Sequence, residues 1–265
     1  MSAPRYLLGA AACIVALVAG WHQLSLGRSP AVMPSPAETL TAWWGLLVDG
    51  TLAVELAITL GRAAAATGAA LVVGVLIGWA ASVSAVADGF LAPLRAILQG
   101  LPPIVLIVCL VLWFGSDPAI TIVVTATVMT PLVAAATTAA LRAVDPHLRE
   151  LAAGLRLSRT RRIMFVIGPA VLPPIVGAAG AVASGAVRVA VMAELLSAPD
   201  GVGAAIAQAR TLLQTPELFA WALTIISAAL VVDVAIRFLV GRWSALFSPG
   251  EGAVSARTPA DTKSR

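Results

Sequence analysis

The chain has 265 residues, of which 60% are hydrophobic and 11% charged, with a mean hydropathy of +0.96; soluble domains run at roughly 45–50% apolar and about 25% charged. That balance excludes a soluble globular domain and describes a polytopic membrane protein, a single membrane domain with room for about five to seven helical spans. The net charge of +4 and the pI near 10.0 do not call for nucleic acid, because most basic residues fall in short loops beside apolar runs, where membrane topology explains them.

Tyr6 to Leu26 is apolar over about one bilayer thickness and closes on Trp21 and His22, so it reads as the first span. A cleaved signal peptide is the alternative, but the apolar core is long for one. Gly27 to Pro36 is a proline-broken loop, and Ala37 to Val48, with Trp43 and Trp44, suits a short helix lying at the headgroups. Span two runs from Glu55 to Ala81. Its Gly74 and Gly78 are spaced so that a neighbouring backbone approaches closely, and Arg62 near its start is expected to snorkel or to pair with a carboxylate such as Glu55. Ser82 to Pro93 reads as a loop. Leu94 to Phe114 forms span three, bent or broken at Pro102 and Pro103; Gly115 to Pro118 is a turn, and Ala119 to Leu141 is span four. Cys13 and Cys109 sit inside apolar runs and read as packing residues.

The segment Arg142 to Pro173 begins with a long basic loop carrying Arg142, Arg149, Arg156, Arg159, Arg161 and Arg162. A simple reversal needs about two to eight residues, so a loop of this length points to a docking partner outside the bilayer. Asp145 and Pro146 make a helix start, and a surface helix over 147–156 follows. Span five covers Ala170 to Leu195 and contains Arg188 and Glu194; a charge facing lipid there costs at least about 2.5–3.5 kcal/mol, so both are expected to face protein or water. Six residues apart, they lie on different sides of the helix. Arg188 either pairs with a group such as Asp233 or attracts an anion along the path. Ser197 to Pro216 is a polar connection, Glu217 to Val240 is span six, and the tail from Gly241 onward has the composition of a disordered segment.

In this six-span scheme thirteen of the 17 Lys and Arg residues lie on one side, two (Arg28 and Arg210) on the other and two within spans. The positive-inside rule makes both termini and the 142–169 loop cytoplasmic. No Gly-x-x-x-x-Gly-Lys-Ser/Thr phosphate loop occurs, and no nucleophile–base or metal-ligand constellation is visible, so neither ATP binding nor an enzyme is expected of this chain.

Glu150, Leu151 and Ala152, followed by Val166, Ile167, Gly168 and Pro169, resemble the EAA signature of bacterial ABC importer permeases. Thr59-Leu60-Gly61-Arg62 resembles a Ser-Leu-x-Arg motif of the nitrate, sulfonate and taurine group. Leu101-Pro102-Pro103 with Leu112-Trp113-Phe114-Gly115, and Ala193-Glu194 with Gly201-Val202-Gly203, are similar to further motifs of that group, in the same order. The resemblance implies an all-α integral membrane protein of about six transmembrane helices with type I importer permease (MetI-like) architecture. It divides the chain into residues 1–36 (first helix and external loop), 37–243 (permease domain with the 142–169 coupling loop) and 244–265 (cytoplasmic tail).

It also implies partners: two ABC ATPase subunits that bind ATP and Mg, a second permease, identical or related, an extracytoplasmic binding protein, and the bacterial inner membrane. On this resemblance Arg149, Glu150, Leu151, Ala152, Gly154, Arg156 and Pro169 contact the ATPase, while Arg188 and Glu194 lie on the translocation path of a small solute. The chain departs from the family at Arg156, where a Gly is usual, at Gly168, where a Leu is usual, and at Val108 in place of a proline. Arg156 either costs on the order of 1 kcal/mol in a left-handed turn or adopts another geometry, with Gly154 taking over the turn or the ATPase cleft contacted differently. The rival reading is a channel or secondary transporter that works without an ATPase; a membrane anchor would leave Arg188 and Glu194 unexplained.

Overall fold

A computed structural model of the chain describes residues 3–247, and among these every regular element is helical. In chain order they are α1 (Ala3–Ser25), α2 (Pro36–Val48), α3 (Thr51–Val83), α4 (Ala85–Gly100), α5 (Pro103–Phe114), α6 (Pro118–Arg142), α7 (Pro146–Gly154) and α8 (Arg159–Arg162), then α9 (Gly168–Ser197) after a π-helical turn at Ile163–Ile167, α10 (Val202–Thr211) and α11 (Thr215–Phe247). Four helices are long and apolar enough to cross a bilayer, and a fifth crossing is added if α4 and α5 form one broken span. Five of the six expected spans therefore correspond to α3, α4 with α5, α6, α9 and α11, while the expected first span falls on α1, whose described apolar stretch Ala11–Ser25 is shorter than the 18 residues counted for a crossing.

The centre is a packed trio of α3, α6 and α9. Small residues make it: a Cβ at Gly74 would lie 2.5 Å from Val133 Cβ, and one at Gly78 would lie 2.6 Å from the Ala134 carbonyl oxygen. The close approach expected from the spacing of these two glycines is therefore the α3–α6 contact. Thr138 Oγ1 donates both to its own-helix Ala134 carbonyl at 2.8 Å and across to the Gly78 carbonyl at 3.2 Å. Hydrocarbon supplies little drive for apolar helices to associate, so close backbone contact and such bonds have to provide it. On α5, Ile107 is fully buried against Ile120, Val124 and Ala193 of α6 and α9.

Two of the sequence expectations for boundaries change. The expected loop at 82–93 is helical from Ala85, because Ser84 caps the helix by accepting from the Val86 and Ala87 N–H groups, and Pro93 is accommodated inside α4. The break comes later, at Leu101–Pro102, where α4 and α5 meet at 93°. Consecutive prolines remove two backbone donors there, which is enough to end one helix and start another. At the other extreme, α11 continues to Phe247, beyond the expected limit at 240–243; the rest of the 244–265 tail lies outside the described residues.

The ends of the trio differ. At the basic end, Asp88 of α4 accepts from Arg95 at 2.5 Å and from Arg142 at 2.8 Å, and Arg142 also reaches the Ala81 carbonyl at 3.3 Å. Arg142, counted in the loop as a docking arginine, thus fastens α6 to α3 and α4. At the far end, α2 and α10 lie over the trio. Ser35 and Glu38 form a capping box at the start of α2, Trp43 Nε1 donates to Thr224 of α11 at 3.1 Å, and Trp21 donates to the Pro34 carbonyl at 2.9 Å while stacking on Phe219.

Replacing Gly78 with Val should force α3 and α6 apart. Overpacking of this kind costs about 1–3 kcal/mol, so the detergent-solubilised protein should melt measurably lower, whereas Gly61→Val, facing open space, should leave the melting temperature nearly unchanged.

Candidate functional site

At the far end the sequence motifs converge on one carboxylate. Glu194, near the end of α9, has no exposed surface. Its Oε2 accepts from Thr59 Oγ1 at 2.7 Å and from the Gly203 N–H at 3.2 Å, and its Oε1 accepts from Arg62 at 2.9 Å. Arg62 spans the gap to the next loop by donating to the Asp200 carbonyl at 2.9 Å and to the Asp200 carboxylate. Glu55, one turn before Thr59, accepts from the Gly201 N–H at 2.5 Å, and Thr59 accepts from the Val202 N–H at 2.9 Å.

The glycines are part of the same construction. Gly201 has φ +97°, and a Cβ there would sit 2.5 Å from the Glu194 carboxyl; at Gly203 it would sit 2.2 Å from the Val191 carbonyl oxygen. The 201–203 loop is therefore drawn down onto the carboxylate: the Gly203 N–H donates to Glu194 itself, while the Gly201 and Val202 N–H groups donate to Glu55 and Thr59 beside it. Arg62 pairs with carboxylates, as expected, but with Glu194 and Asp200 and not with Glu55, the example the sequence offered. The sequence placed Glu194 on the translocation path; the structure closes it inside a clasp of Thr59, Arg62 and Gly203. The clue lay in the motifs: Thr59 and Arg62 belong to one, Glu194 to a second and Gly201–Gly203 to a third.

At the basic end, α7 stands at the surface. Ala152 is 2% exposed and turned toward the protein, while the Glu150 side chain is 78% exposed, with only a 3.8 Å approach from His147. Leu148, Leu151 and Leu155, at spacings of three and four, are all exposed; the sequence reading named only Leu151 of these as a contact. The helix ends at Gly154, short of the expected 156. Arg156 adopts φ +50°, and the Leu157 N–H returns to the Ala152 carbonyl at 3.1 Å, while Leu155 bonds Leu151 at 2.9 Å. This is a Schellman closure with Arg156 in the place glycine normally takes. Gly154 does not take over the turn.

The second departure also has a local counterpart. The Gly168 N–H bonds the Ile163 carbonyl, closing the π turn, and a Cβ at Gly168 would lie 3.0 Å from that oxygen. Pro169 cannot donate to the residue four before it, and a wider i→i−5 turn relieves the interruption. Pro169 thus sits in the first turn of α9, behind α7 in sequence and at the root of the span. Arg149 lies within α7.

Arg188, midway along α9, is exposed. It lines a groove of about 390 Å³ with Ile225, Ile226, Ala229, Leu230 and Asp233 of α11. The expected pairing of Arg188 with Asp233 does not form; Asp233 accepts from Arg237, one turn along α11, at 3.0 Å. Arg188 and Glu194 occupy different sides of α9, as their spacing required.

Residues 70–245 match the family of binding-protein-dependent transport system inner membrane components. The chain belongs to that family of ABC importer permeases. It is similar to the taurine transport system permease protein TauC of Escherichia coli, with 27% identity over 219 residues covering 81% of this chain and 80% of that one. A putative aliphatic sulfonates transport permease protein, SsuC of Bacillus subtilis, is 30% identical over 211 residues, covering 80% and 76% of the two chains. The riboflavin transport system permease protein RibX of Chloroflexus aurantiacus is 27% identical over 243 residues, 90% of this chain and 91% of that one. Among solved structures, an inward-facing MetNI methionine ABC transporter chain matches with a TM-score of 0.62 at 18% identity, covering 74% of this permease and 96% of that chain. A chain of an amino acid ABC transporter gives 0.60 at 20% identity, with coverage of 77% and 98%. These two share the fold, so the bundle of this permease is that of type I importers.

Breaking a buried ion pair from one side costs about 3–5 kcal/mol, because the partner charge is left behind. Glu194→Ala should therefore lower the melting temperature of the solubilised permease far more than Glu150→Ala at the exposed surface, as read by a thermal melt of both variants.

Proposed function

We propose that this permease forms half of the translocation path of an ATP-driven importer, taking up a small anionic solute such as a sulfonate or taurine. Two ATPase subunits bind ATP and Mg, a second permease, identical or related, completes the path, and a binding protein delivers solute from the far end. Both termini and α7 are cytoplasmic in this reading. The positive-inside distribution of Lys and Arg supports that orientation.

The observation that carries the proposal is α7. A nine-residue helix presents Leu148 and Leu151 to solvent beside Glu150, with Leu155 exposed just past its end, and it is joined through Pro169 to the base of α9. Closure of the ATPases on ATP moves α7, α9 carries the motion into the trio, and the path switches from one side of the membrane to the other. Glu150→Lys should reduce ATP-dependent uptake about tenfold, within the usual range of coupling energies, while the ATPase continues to hydrolyse ATP. Undiminished uptake together with undiminished ATPase binding refutes this role for Glu150.

The anionic substrate rests on Arg188. A guanidinium in a bilayer-spanning helix that has no partner among the described residues faces the path or a second subunit, since lipid exposure is costly. The similarity to permeases named for taurine and aliphatic sulfonates supports an anion. A charge-assisted hydrogen bond contributes about 1.5–3 kcal/mol, so Arg188→Gln should lower uptake of a radiolabelled sulfonate about tenfold or more with the complex still assembled. Equal uptake by the variant would remove Arg188 from the path.

A further inference from the structure

Arg156 stands out within the cytoplasmic loop in two independent respects. Its φ of +50° is one of two positive values at non-glycine residues among the described residues, a conformation that disfavours a side chain by about 1–2 kcal/mol relative to glycine. Its guanidinium is exposed and makes no hydrogen bond or ion pair with any described residue. Glycine would close α7 by the same Schellman bonds without strain. The fold of this chain therefore gains nothing from the arginine side chain, yet the backbone holds it at a fixed point directly after Leu155.

That point is the end of the apolar stripe. Leu148, Leu151 and Leu155 are 43%, 60% and 64% exposed and share one side of α7, so the surface offered to a partner is a row of leucines finished by a cation. Arg161 and Arg162 directly precede the apolar π turn that leads into α9, the sequence position from which arginines snorkel to headgroups. Arg156 lies on the α7 side of the Leu157–Ser158 break between α7 and α8.

We propose that Arg156 is a specificity-determining contact for the ATPase subunit: Leu151 and Leu155 seat in an apolar cleft, and the Arg156 guanidinium pairs with a carboxylate on its rim. The proposal rests on the coupling role of α7 and adds to it the chemistry of one contact. An arginine here selects an ATPase with an acidic rim. A permease with glycine in this place would accept a neutral one.

The test compares three substitutions in the full-length permease, measuring affinity for the ATPase that co-purifies with the wild-type chain, at low and at high salt. Arg156→Lys keeps charge and strain, Arg156→Ala keeps strain alone, and Arg156→Gly removes both. Affinity should stay within about twofold for Lys and fall about three- to tenfold for both Ala and Gly, with the salt dependence lost in those two. The Gly variant should at the same time melt at a higher temperature. Wild-type affinity in the Gly variant overturns the proposal while leaving the coupling role intact, and so does a loss that appears only in vesicles containing anionic phospholipid, which would assign the guanidinium to a headgroup. Failure of the wild-type chain to bring down any ATPase overturns the coupling role as well.

Discussion

A buried carboxylate sets the terms for the far half of this molecule. Glu194 is held by Thr59 and Arg62 of α3 and by the Gly203 N–H at the start of α10. A distant helix, α3, meets the α9–α10 junction there because a charge enclosed among apolar helices must find donors or be expelled. Arg62 then extends the tie to Asp200, and Glu55 secures Gly201. The glycines at 201 and 203 follow from the same need, since a backbone can donate to a buried acid only if nothing stands between them. The consequence is a rigid cap over α3 and α9, with α2 and α10 fastened above it.

The basic end is built on the opposite principle. Asp88, Arg95 and Arg142 fasten α4 to α6 through partly exposed ion pairs, which contribute little individually, and α7 projects beyond them with leucines unpartnered. A rigid cap at one end and an exposed lever at the other suit a machine in which work enters at one face and solute at the other. Between them lies the close contact of α3 with α6, through Gly74 and Gly78, able to transmit a movement because closely packed helices do not deform continuously. Arg188 and its groove lie between the exposed faces of α9 and α11.

Much of this was legible in the sequence. Hydropathy located every apolar span, and the glycine spacing in α3 marked the helix contact that the structure realises. The family resemblance rested on Glu150–Ala152 with Val166–Pro169, on Pro102–Pro103 with Leu112–Gly115, and on Thr59–Arg62, Ala193–Glu194 and Gly201–Gly203, and the last three proved to be parts of one clasp. What the sequence did not give was partnership: hydropathy ranks residues by cost in lipid but carries no information about which distant group relieves that cost. The expectation that Arg62 pairs with a carboxylate holds, but the carboxylate is Glu194 and not the nearby Glu55 offered as the example; of the two readings of Arg188, the pairing with Asp233 does not form, because the adjacent Arg237 occupies that carboxylate. The loop at 82–93 was misjudged because Pro93 and Gly89 argue for a turn locally, whereas the cap from Ser84 and the bridge from Asp88 to Arg95 and Arg142 sustain a helix. At Arg156 the local rule, that a left-handed closure favours glycine, describes the backbone correctly and leaves the choice of side chain to be explained by a contact beyond this chain.

The central claim is that α7 touches a nucleotide-hydrolysing partner on the cytoplasmic side. The direct measurement is site-specific crosslinking in native membranes, with Leu151→Cys placed in a chain whose Cys13 and Cys109 have been replaced by Ala. The account predicts a crosslinked species with the mass of the permease plus one ATPase subunit, formed at a yield that changes when ATP is added, and no labelling of the new cysteine by an impermeant reagent applied from outside. Labelling from outside, or a crosslink yield at Leu151 no greater than at an exposed position within a span such as Val72 of α3, would contradict it.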